Sequence, residues 1–123
     1  SHFIGVAASL MRQILIDSAR RHRAAKRGRN FEQVSLDEHR DFLQVERSEE
    51  LLALDEALHR LEKMNSRQSR IVELRYFGGL SVEETAEALR VSPITVKREW
   101  ATARAWLRAE LETRRTDRPA VKK

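Results

Sequence analysis

The sequence predicts an all-α protein with a helix-turn-helix close to its C-terminal end, and three observations support this fold class. Apolar residues recur every three or four positions along most of the 123 residues, which is the spacing of amphipathic helices. No segment alternates apolar and polar residues as a half-buried strand does. The four Gly and two Pro are too few for a turn-rich β protein.

The composition excludes several classes of protein. The chain has no Cys, so it can form neither a disulfide scaffold nor a thiolate metal site. No apolar run approaches the roughly 20 residues of a membrane-spanning helix, and we expect no membrane partner. The basic residues of the first segment follow its apolar stretch, which is the reverse of a signal peptide. Because the chain begins at Ser1 rather than Met, we expect an N-terminal portion to be missing.

The net charge of +5 is divided into three blocks of alternating sign. Residues 1–30 hold seven basic residues and one acidic residue, a net charge of +6. Residues 31–65 hold four basic and ten acidic residues, a net charge of −6, and residues 66–123 hold thirteen and eight, a net charge of +5. Two basic blocks around an acidic one favour a polyanionic partner contacted at two places, although solvated helix faces explain the same charges equally well.

The first segment, from Phe3 to Arg27, has the period of one amphipathic helix. Its apolar positions are Phe3, Val6, Ala7, Leu10, Met11, Ile14 and Leu15. Basic residues followed by Gly28 predict the end of this helix, because cations suit the last turn and Gly tolerates positive φ. Such a helix is unstable alone in water, so it must pack against something.

The middle of the chain predicts a linker followed by two helices. The run from Ser35 to Glu38 has the spacing of a capping box, and a short helix is expected from there toward Val45. Ser48 is a candidate N-cap for the next helix, whose apolar stripe is Leu51, Leu54, Leu58 and Leu61. Asn65-Ser66 separates it from a helix whose apolar residues are Ile71, Val72, Leu74 and Tyr76 or Phe77. Gly78-Gly79 ends that helix.

The segment from Leu80 to Leu107 has the spacing of a helix-turn-helix. A second capping box, from Ser81 to Glu84, begins its first helix, and Ser92-Pro93 begins its second. The small side chain of Ala86 lets the two helices cross closely, and Val91 fills the corner between them. The residues expected to face the interior from the second helix are Val96, Trp100, Ala103 and Leu107. We expect this helix to end near Leu111.

The opposite face of the second helix is then free to enter the major groove of DNA. Its candidate DNA-contacting residues are Ser92, Thr95, Lys97, Arg98, Ala101, Thr102 and Arg104. Lys97 and Arg98 can reach guanine edges or phosphates, and Ala101 and Thr102 can contact a thymine methyl group.

Three further residues of this face suit phosphate. Ser92 and Thr95 lie beside the helix N-terminus, where anions bind, and Arg104 lies farther along. Glu99 is unfavourable near DNA and is expected to pair with a basic neighbour on the same helix. The alternative is a packed helical corner whose charged residues are merely solvated.

Other functional sites have little support in the sequence. Asp37, Glu38, His39 and Asp41 resemble a metal site on paper, but they lie in the polar linker without a second ligand cluster. His59 and Glu62 form an ordinary pair on a helix surface. No catalytic triad order, phosphate-binding loop or zinc motif occurs, so we expect no enzyme activity, metal or cofactor.

Three runs in the C-terminal half form a specific set, namely Val72 to Ser81 (VELRYFGGLS), Glu83 to Ala86 and Thr95 to Lys97. They resemble domain four of the bacterial RNA polymerase sigma factors of the extracytoplasmic-function (ECF) type. The first helix, with Arg12-Gln13 and the basic run Arg20 to Arg23, is similar to the end of domain two, where the family usually has Arg-Asn instead of Arg-Gln. Together these matches span most of residues 3–111.

The resemblance implies a cytoplasmic sigma factor that directs core RNA polymerase to promoters in transcription initiation. The helix-turn-helix would read the upstream promoter element as duplex DNA, and the end of domain two would read the melted downstream element as single strand. The residues that match this downstream reader are Arg12, Gln13, Asp17, Arg20, Arg21 and Arg23. The implied partners are double-stranded promoter DNA and core RNA polymerase, with single-stranded DNA and an anti-sigma factor left open.

The chain departs from the family in two places. The domain-two helices that precede the first helix in the family are absent, so its apolar face lacks its usual partners. We expect that face to pack on the C-terminal unit formed by residues 48–112, to pair with a second copy of the chain or to stay mobile. Arg90 stands in the turn where the family usually has Gly, and positive φ there would cost about 1 kcal/mol or more.

The predicted organisation has four parts. Residues 1–30 form the last helix of a truncated domain two, residues 31–47 a linker, residues 48–112 a four-helix unit with the helix-turn-helix, and residues 113–123 a flexible basic tail. Two other functions remain open: a stand-alone helix-turn-helix regulator, and a protein-interaction remnant that binds polymerase or an anti-sigma factor.

Overall fold

The computed structural model describes residues 2–28 and 38–117, with side chains over residues 3–25 and 47–113. The described chain is all-α, as the sequence predicts, and contains no strand. Its helices are α1 (His2–Gly28), α2 (Glu38–Met64), α3 (Ser66–Val72), α4 (Val82–Leu89) and α5 (Pro93–Asp117). A π-helical turn, Glu73–Phe77, continues α3. None of these helices is long and apolar enough to cross a membrane.

Helix α2 is longer than predicted and passes through the expected boundary at residue 48. Ser48 lies inside the helix and is buried, so it is not an N-cap. Residues 38–64 contain neither Gly nor Pro, and nothing in them stops a helix that has begun near Glu38. Residues 38–47 of the predicted linker are therefore helical. The rest of that linker, with most of the capping box at Ser35, lies outside the described residues.

The main core lies between α2, the end of α3, the π turn and α5. Leu58 and Leu61 of the predicted α2 stripe are fully buried, and Leu51 and Leu54 are partly buried at the edge. Asn65 caps α3 as expected, because its Oδ1 accepts a hydrogen bond from the Gln68 amide at 3.1 Å. The buried members of this core are Ala57, Leu58, Leu61, Val72, Phe77, Ala103 and Leu107.

The π turn directs Leu74 and Phe77 into the interior and leaves Tyr76 outside. The Tyr76 side chain is 58% exposed, so Phe77 is the one of the two aromatic residues that supplies the apolar side of this helix. Adjacent helical residues point about 100° apart, and burial of Phe77 turns its neighbour toward solvent. The Tyr76 ring keeps an edge-on contact with Phe77, with ring centroids 5.0 Å apart.

The helix-turn-helix forms as predicted. Ser81 Oγ accepts the Glu84 amide at 3.0 Å and Glu84 returns a bond to the Ser81 amide at 2.8 Å, which completes the capping box of α4. Arg90 ends α4 at φ 60° and ψ 45°, in the left-handed region expected for this position. Ala86 and Val96 then meet Ile71 in a second core, with Val91 packed on its edge. Helix α5 extends to Asp117, beyond its expected end near Leu111, so residues 113–117 of the predicted tail are helical.

Helix α1 packs on α2 and the π turn with a face other than the predicted one. Its buried residues are Gly5, Ala8, Ile16 and Ala19. The large apolar residues are exposed instead, namely Phe3, Val6, Leu10, Met11, Ile14 and Leu15. The helix does dock on the C-terminal unit, but through small residues, which allow a close approach, and through Ile16 and the ion pairs of Arg12.

Candidate nucleic-acid interface

The exposed face of α5 carries every predicted upstream-element residue. The buried residues Val96, Ala103 and Leu107 fix the rotation of α5 on the core. The opposite side is therefore open to solvent. Exposed there are Ser92, Lys97, Arg98, Ala101, Thr102 and Arg104, with Thr95 half-buried.

The N-terminus of α5 is organised by two hydroxyl groups. Ser92 Oγ accepts a hydrogen bond from the Thr95 amide at 3.2 Å and lies 2.9 Å from Thr95 Oγ1. Ser92 is thus the N-cap of α5, as the sequence indicates. The remaining amide groups of this first turn point out of the helix toward any anion placed there.

Lys97 and Arg98 project from the first turns of α5 as exposed cations. Neither forms a hydrogen bond or ion pair with another residue in the described part of the chain. Because no carboxylate holds them, both can bind a phosphate or a base edge without first breaking an internal contact.

Glu99 lies away from this face, and its partner is not on its own helix. Its carboxylate is 3.1 Å from the guanidinium of Arg67 on α3. The side chain of Gln68, followed by Arg67, lowers the pKa of Glu99 against the opposing effect of burial. The negative charge of Glu99 is therefore compensated by Arg67 where α3 contacts α5.

The guanidinium groups of two arginines lie close to the Trp100 ring, an arrangement that the sequence does not predict. The Arg75 guanidinium lies 4.8 Å from the Trp100 ring centroid, and that of Arg104 lies 5.7 Å from it. Arg75 also donates a hydrogen bond to the carbonyl of Leu80 at 3.0 Å. Arg75 thus ties the π turn, the start of the helix-turn-helix and α5 together. Residues 25 positions apart give no local sequence signal of such a contact.

An apolar groove runs beside this stack, between α2, the π turn and α5. Its apolar lining residues are Leu54, Val72, Tyr76, Trp100, Leu107 and Leu111. Arg104, Arg108 and Glu112 also line it. The groove therefore presents an apolar floor bordered by two basic residues and one acidic residue.

The predicted downstream-element residues on α1 are in two different environments. Arg12 is partly buried against the C-terminal unit, where it forms ion pairs with Asp55 and Glu73. Gln13, Asp17, Arg20 and Arg21 are exposed, and Arg23 is partly exposed. Arg20 pairs with Asp17 at 3.6 Å and Arg23 approaches Glu49 at 4.0 Å.

A polar groove of about 390 Å³ separates the exposed part of this α1 face from α2 and α3. Its walls carry both signs of charge. The charged residues are Arg12, Asp17, Arg20, Asp55, Glu62, Arg70 and Glu73, with His59 beside them. Within the described ranges no cluster of His, Asp and Glu could hold a metal ion. The metal-like cluster around His39 that the sequence suggested lies outside the described side chains.

Comparisons with known proteins complete this description. Neither the curated proteins nor the solved structures include a significant match to the chain. The family model of the ECF sigma factors matches residues 1–113, which is almost the whole sequence. The chain thus belongs to the ECF sigma factor family, whose members act in transcription initiation.

Proposed function

We propose that this sigma factor positions core RNA polymerase by inserting α5 into the major groove of the upstream promoter element. One observation carries the proposal: Lys97 and Arg98 are exposed and unpaired, on a helix whose other side is fixed by the buried Val96 and Ala103. A rigid helix with free cations on its N-terminal half suits the groove of duplex DNA. Its mechanism is binding in the cytoplasm, without catalysis.

The residues of α5 divide into base-reading and phosphate-binding groups. Arg98 and Lys97 bind guanine, Ala101 contacts a thymine methyl group, and Thr102 contacts a methyl group or donates a hydrogen bond. A second group, comprising Ser92, Thr95 and Arg104, binds phosphates and sets the register of the helix on the duplex.

Helix α1 supplies the second DNA contact in this proposal. Arg12, Gln13 and Asp17, with the basic residues 20, 21 and 23, bind the melted downstream element. Cations and polar side chains along one helix suit a single strand, because its phosphates and unstacked bases are both accessible.

Core RNA polymerase is the protein partner, and the apolar groove beside Tyr76 is a suitable docking surface. Tyr76 is exposed at its edge, and Arg108 supplies positive charge at its rim. The apolar face of a partner helix fits a groove of this kind. Tyr76→Ser should weaken co-purification with core polymerase and leave the affinity for duplex DNA unchanged.

The base-reading role is tested with Arg98→Ala and Arg98→Lys. The preferred duplex is first selected from a random library, and its affinity is compared with that of a scrambled duplex over a range of salt concentrations. Loss of specificity in both variants supports guanine recognition, because Lys retains the charge but not the bidentate geometry. A salt slope reduced by about one in the Ala variant, with specificity unchanged, would instead assign Arg98 to phosphate.

Co-purification with core polymerase separates the remaining functions. Binding of polymerase together with specific DNA supports a sigma factor that acts at promoters. Specific DNA binding without polymerase would indicate a stand-alone regulator. Polymerase or anti-sigma binding without DNA binding would indicate an interaction remnant.

A further inference from the structure

Arg12, a candidate DNA-binding residue of α1, forms ion pairs with two carboxylates of the C-terminal unit. Arg12 Nε and Nη2 lie 2.8 Å and 2.7 Å from the same oxygen, Oδ1 of Asp55. Arg12 Nη1 lies 3.1 Å from Glu73 Oε2 on the π turn. All three nitrogens of the guanidinium are thus engaged by carboxylates.

Burial makes these pairs more than surface contacts. The side chains of Arg12, Asp55 and Glu73 are only 12%, 9% and 13% exposed. The guanidinium also lies 6.0 Å from the centroid of the Phe77 ring, which covers it further. A DNA phosphate that binds Arg12 must therefore displace the carboxylates of Asp55 and Glu73.

The carboxylates of Asp55 and Glu73 provide the guanidinium of Arg12 with oxygen acceptors, as a phosphate would. A guanidinium binds carboxylate and phosphate oxygens with the same planar geometry. Glu62 adds another negative charge to the wall of the polar groove that faces Gln13 and Arg20. The acidic surface of α2 and the π turn therefore competes with single-stranded DNA for the same side of α1.

The docking of α1 is built to be reversible. Its apolar contribution is modest, since Ile16 and Ala19 meet Leu52 and the partly buried Leu51 in a small cluster. The larger apolar residues of α1, from Phe3 to Leu15, remain exposed and add nothing to the contact. The Arg12 pairs and the close packing of Ala8 against Gly78 hold the rest.

We propose that this arrangement is an autoinhibited state, in which Asp55 and Glu73 occupy Arg12 and close α1 to single-stranded DNA. The inference rests on the proposed role of α1 in binding the melted strand. Opening α1 frees Arg12 to act together with the residues of the reader that are already exposed, and DNA binding in turn favours the open state, since the coupling is reciprocal. If the closed form outnumbers the open form by about ten to one, the apparent affinity for single strand is reduced about tenfold.

The test compares the isosteric variants Asp55→Asn and Glu73→Gln with Glu62→Gln. The last variant removes the same charge from the same groove but breaks no pair with Arg12. The affinity for a fluorescent single-stranded oligonucleotide of random sequence is measured, together with the hydrogen exchange of the α1 amides from Arg12 to Ala19. We expect about tenfold tighter binding and faster exchange for the first two variants, and less than a twofold change for Glu62→Gln.

A cross-linked variant tests the same state without changing charge. Ile16→Cys with Leu52→Cys joins two residues that pack together across the contact, and the chain has no other Cys. Oxidation should abolish oligonucleotide binding and reduction should restore it, while duplex binding through α5 stays constant. Equal binding by the oxidised and reduced forms would overturn the proposal.

The remaining outcomes separate the inference from the function on which it rests. An equal gain for all three charge variants would overturn autoinhibition, because it would reflect only the loss of negative charge. Strong binding by the unaltered chain, without a gain in any variant, would also overturn it and leave the DNA-binding role of α1 standing. Faster exchange of α1 without oligonucleotide binding in any variant would overturn the DNA-binding role itself, and the inference with it.

Discussion

The carboxylate of Glu99 on α5 lies 3.1 Å from the guanidinium of Arg67 on α3, where the two helices pack together. This pair joins the reading helix to the helix that precedes the helix-turn-helix. Gln68 and Arg67 lower the pKa of the Glu99 carboxyl, which shows that the folded protein favours its charged form.

Glu99→Gln should lower the free energy of unfolding at neutral pH by about 0.5–1 kcal/mol, the range for a partly exposed ion pair. A carboxyl whose pKa is lowered by folding stabilises the protein above its ordinary pKa of 4.5 and loses this effect as the pH falls through the lowered value. The difference between the two proteins should therefore shrink as the pH falls below 4.5. Urea unfolding between pH 3 and 7 measures it, with the exposed Glu87→Gln as control. A difference that is the same at pH 3 and pH 7 would contradict this role.

Features with short-range causes were predictable from the sequence. The capping box from Ser81 to Glu84, the cap at Asn65 and the left-handed turn at Arg90 each depend on a few adjacent residues. The inward face of α5 followed from its spacing, since Val96 and Ala103 are both fully buried. The helix-turn-helix could therefore be predicted with its site-facing residues.

Features decided by tertiary contacts were not predictable. The large apolar stripe of α1 predicted its buried face, yet Arg12 and the small residues Gly5 and Ala8 decide which side docks. Their partners, Asp55 and Glu73, lie 43 and 61 positions away in sequence, beyond the reach of any periodicity. The prediction that Ser48 caps α2 was wrong because a good N-cap residue is also tolerated inside a helix that has already begun.

Arg90→Gly should stabilise the protein by about 1 kcal/mol, because Gly adopts φ 60° without the steric cost that Arg bears. The gain is reduced by the greater freedom of Gly in the unfolded chain. Arg90→Ala is the matched control, since it removes the same charge and side chain but keeps a Cβ at positive φ. Urea unfolding should show a gain for Gly and none for Ala. An equal gain for both variants would mean that the charge of Arg90, not its backbone, is unfavourable.

Arg75→Met should lower the free energy of unfolding by about 1–2 kcal/mol, because it removes the cation over Trp100 and the hydrogen bond to the Leu80 carbonyl. Met fills a similar volume, so little of the loss comes from a cavity. Arg104 also lies over Trp100 but donates no hydrogen bond to the Leu80 carbonyl, so Arg104→Met should lower the free energy of unfolding by less. Thermal unfolding gives the stabilities, and Trp100 fluorescence in a Trp106→Phe background reports the stack. Equal losses of stability in the two variants would show that the hydrogen bond to the Leu80 carbonyl does not stabilise the protein.

The adjacent glycines after the π turn should respond differently to substitution, because each is required for a different reason. A Cβ at Gly78 would lie 2.6 Å from the Leu74 carbonyl oxygen and 3.1 Å from the Cβ of Ala8 on α1. A Cβ at Gly79 would meet nothing within 4 Å, but the backbone there has φ +71°. Gly79→Asn should therefore cost well under about 1 kcal/mol, since Asn tolerates the left-handed region.

Gly78→Asn should cost more than about 2 kcal/mol, since the main-chain carbonyl of Leu74 cannot move without distorting the π turn. It should also speed the hydrogen exchange of the α1 amides around Ala8, because the new side chain pushes that helix away. Urea unfolding and exchange on the same two variants measure both effects. Similar losses at the two positions, with α1 exchange unchanged, would show that neither the carbonyl nor Ala8 limits the space at Gly78.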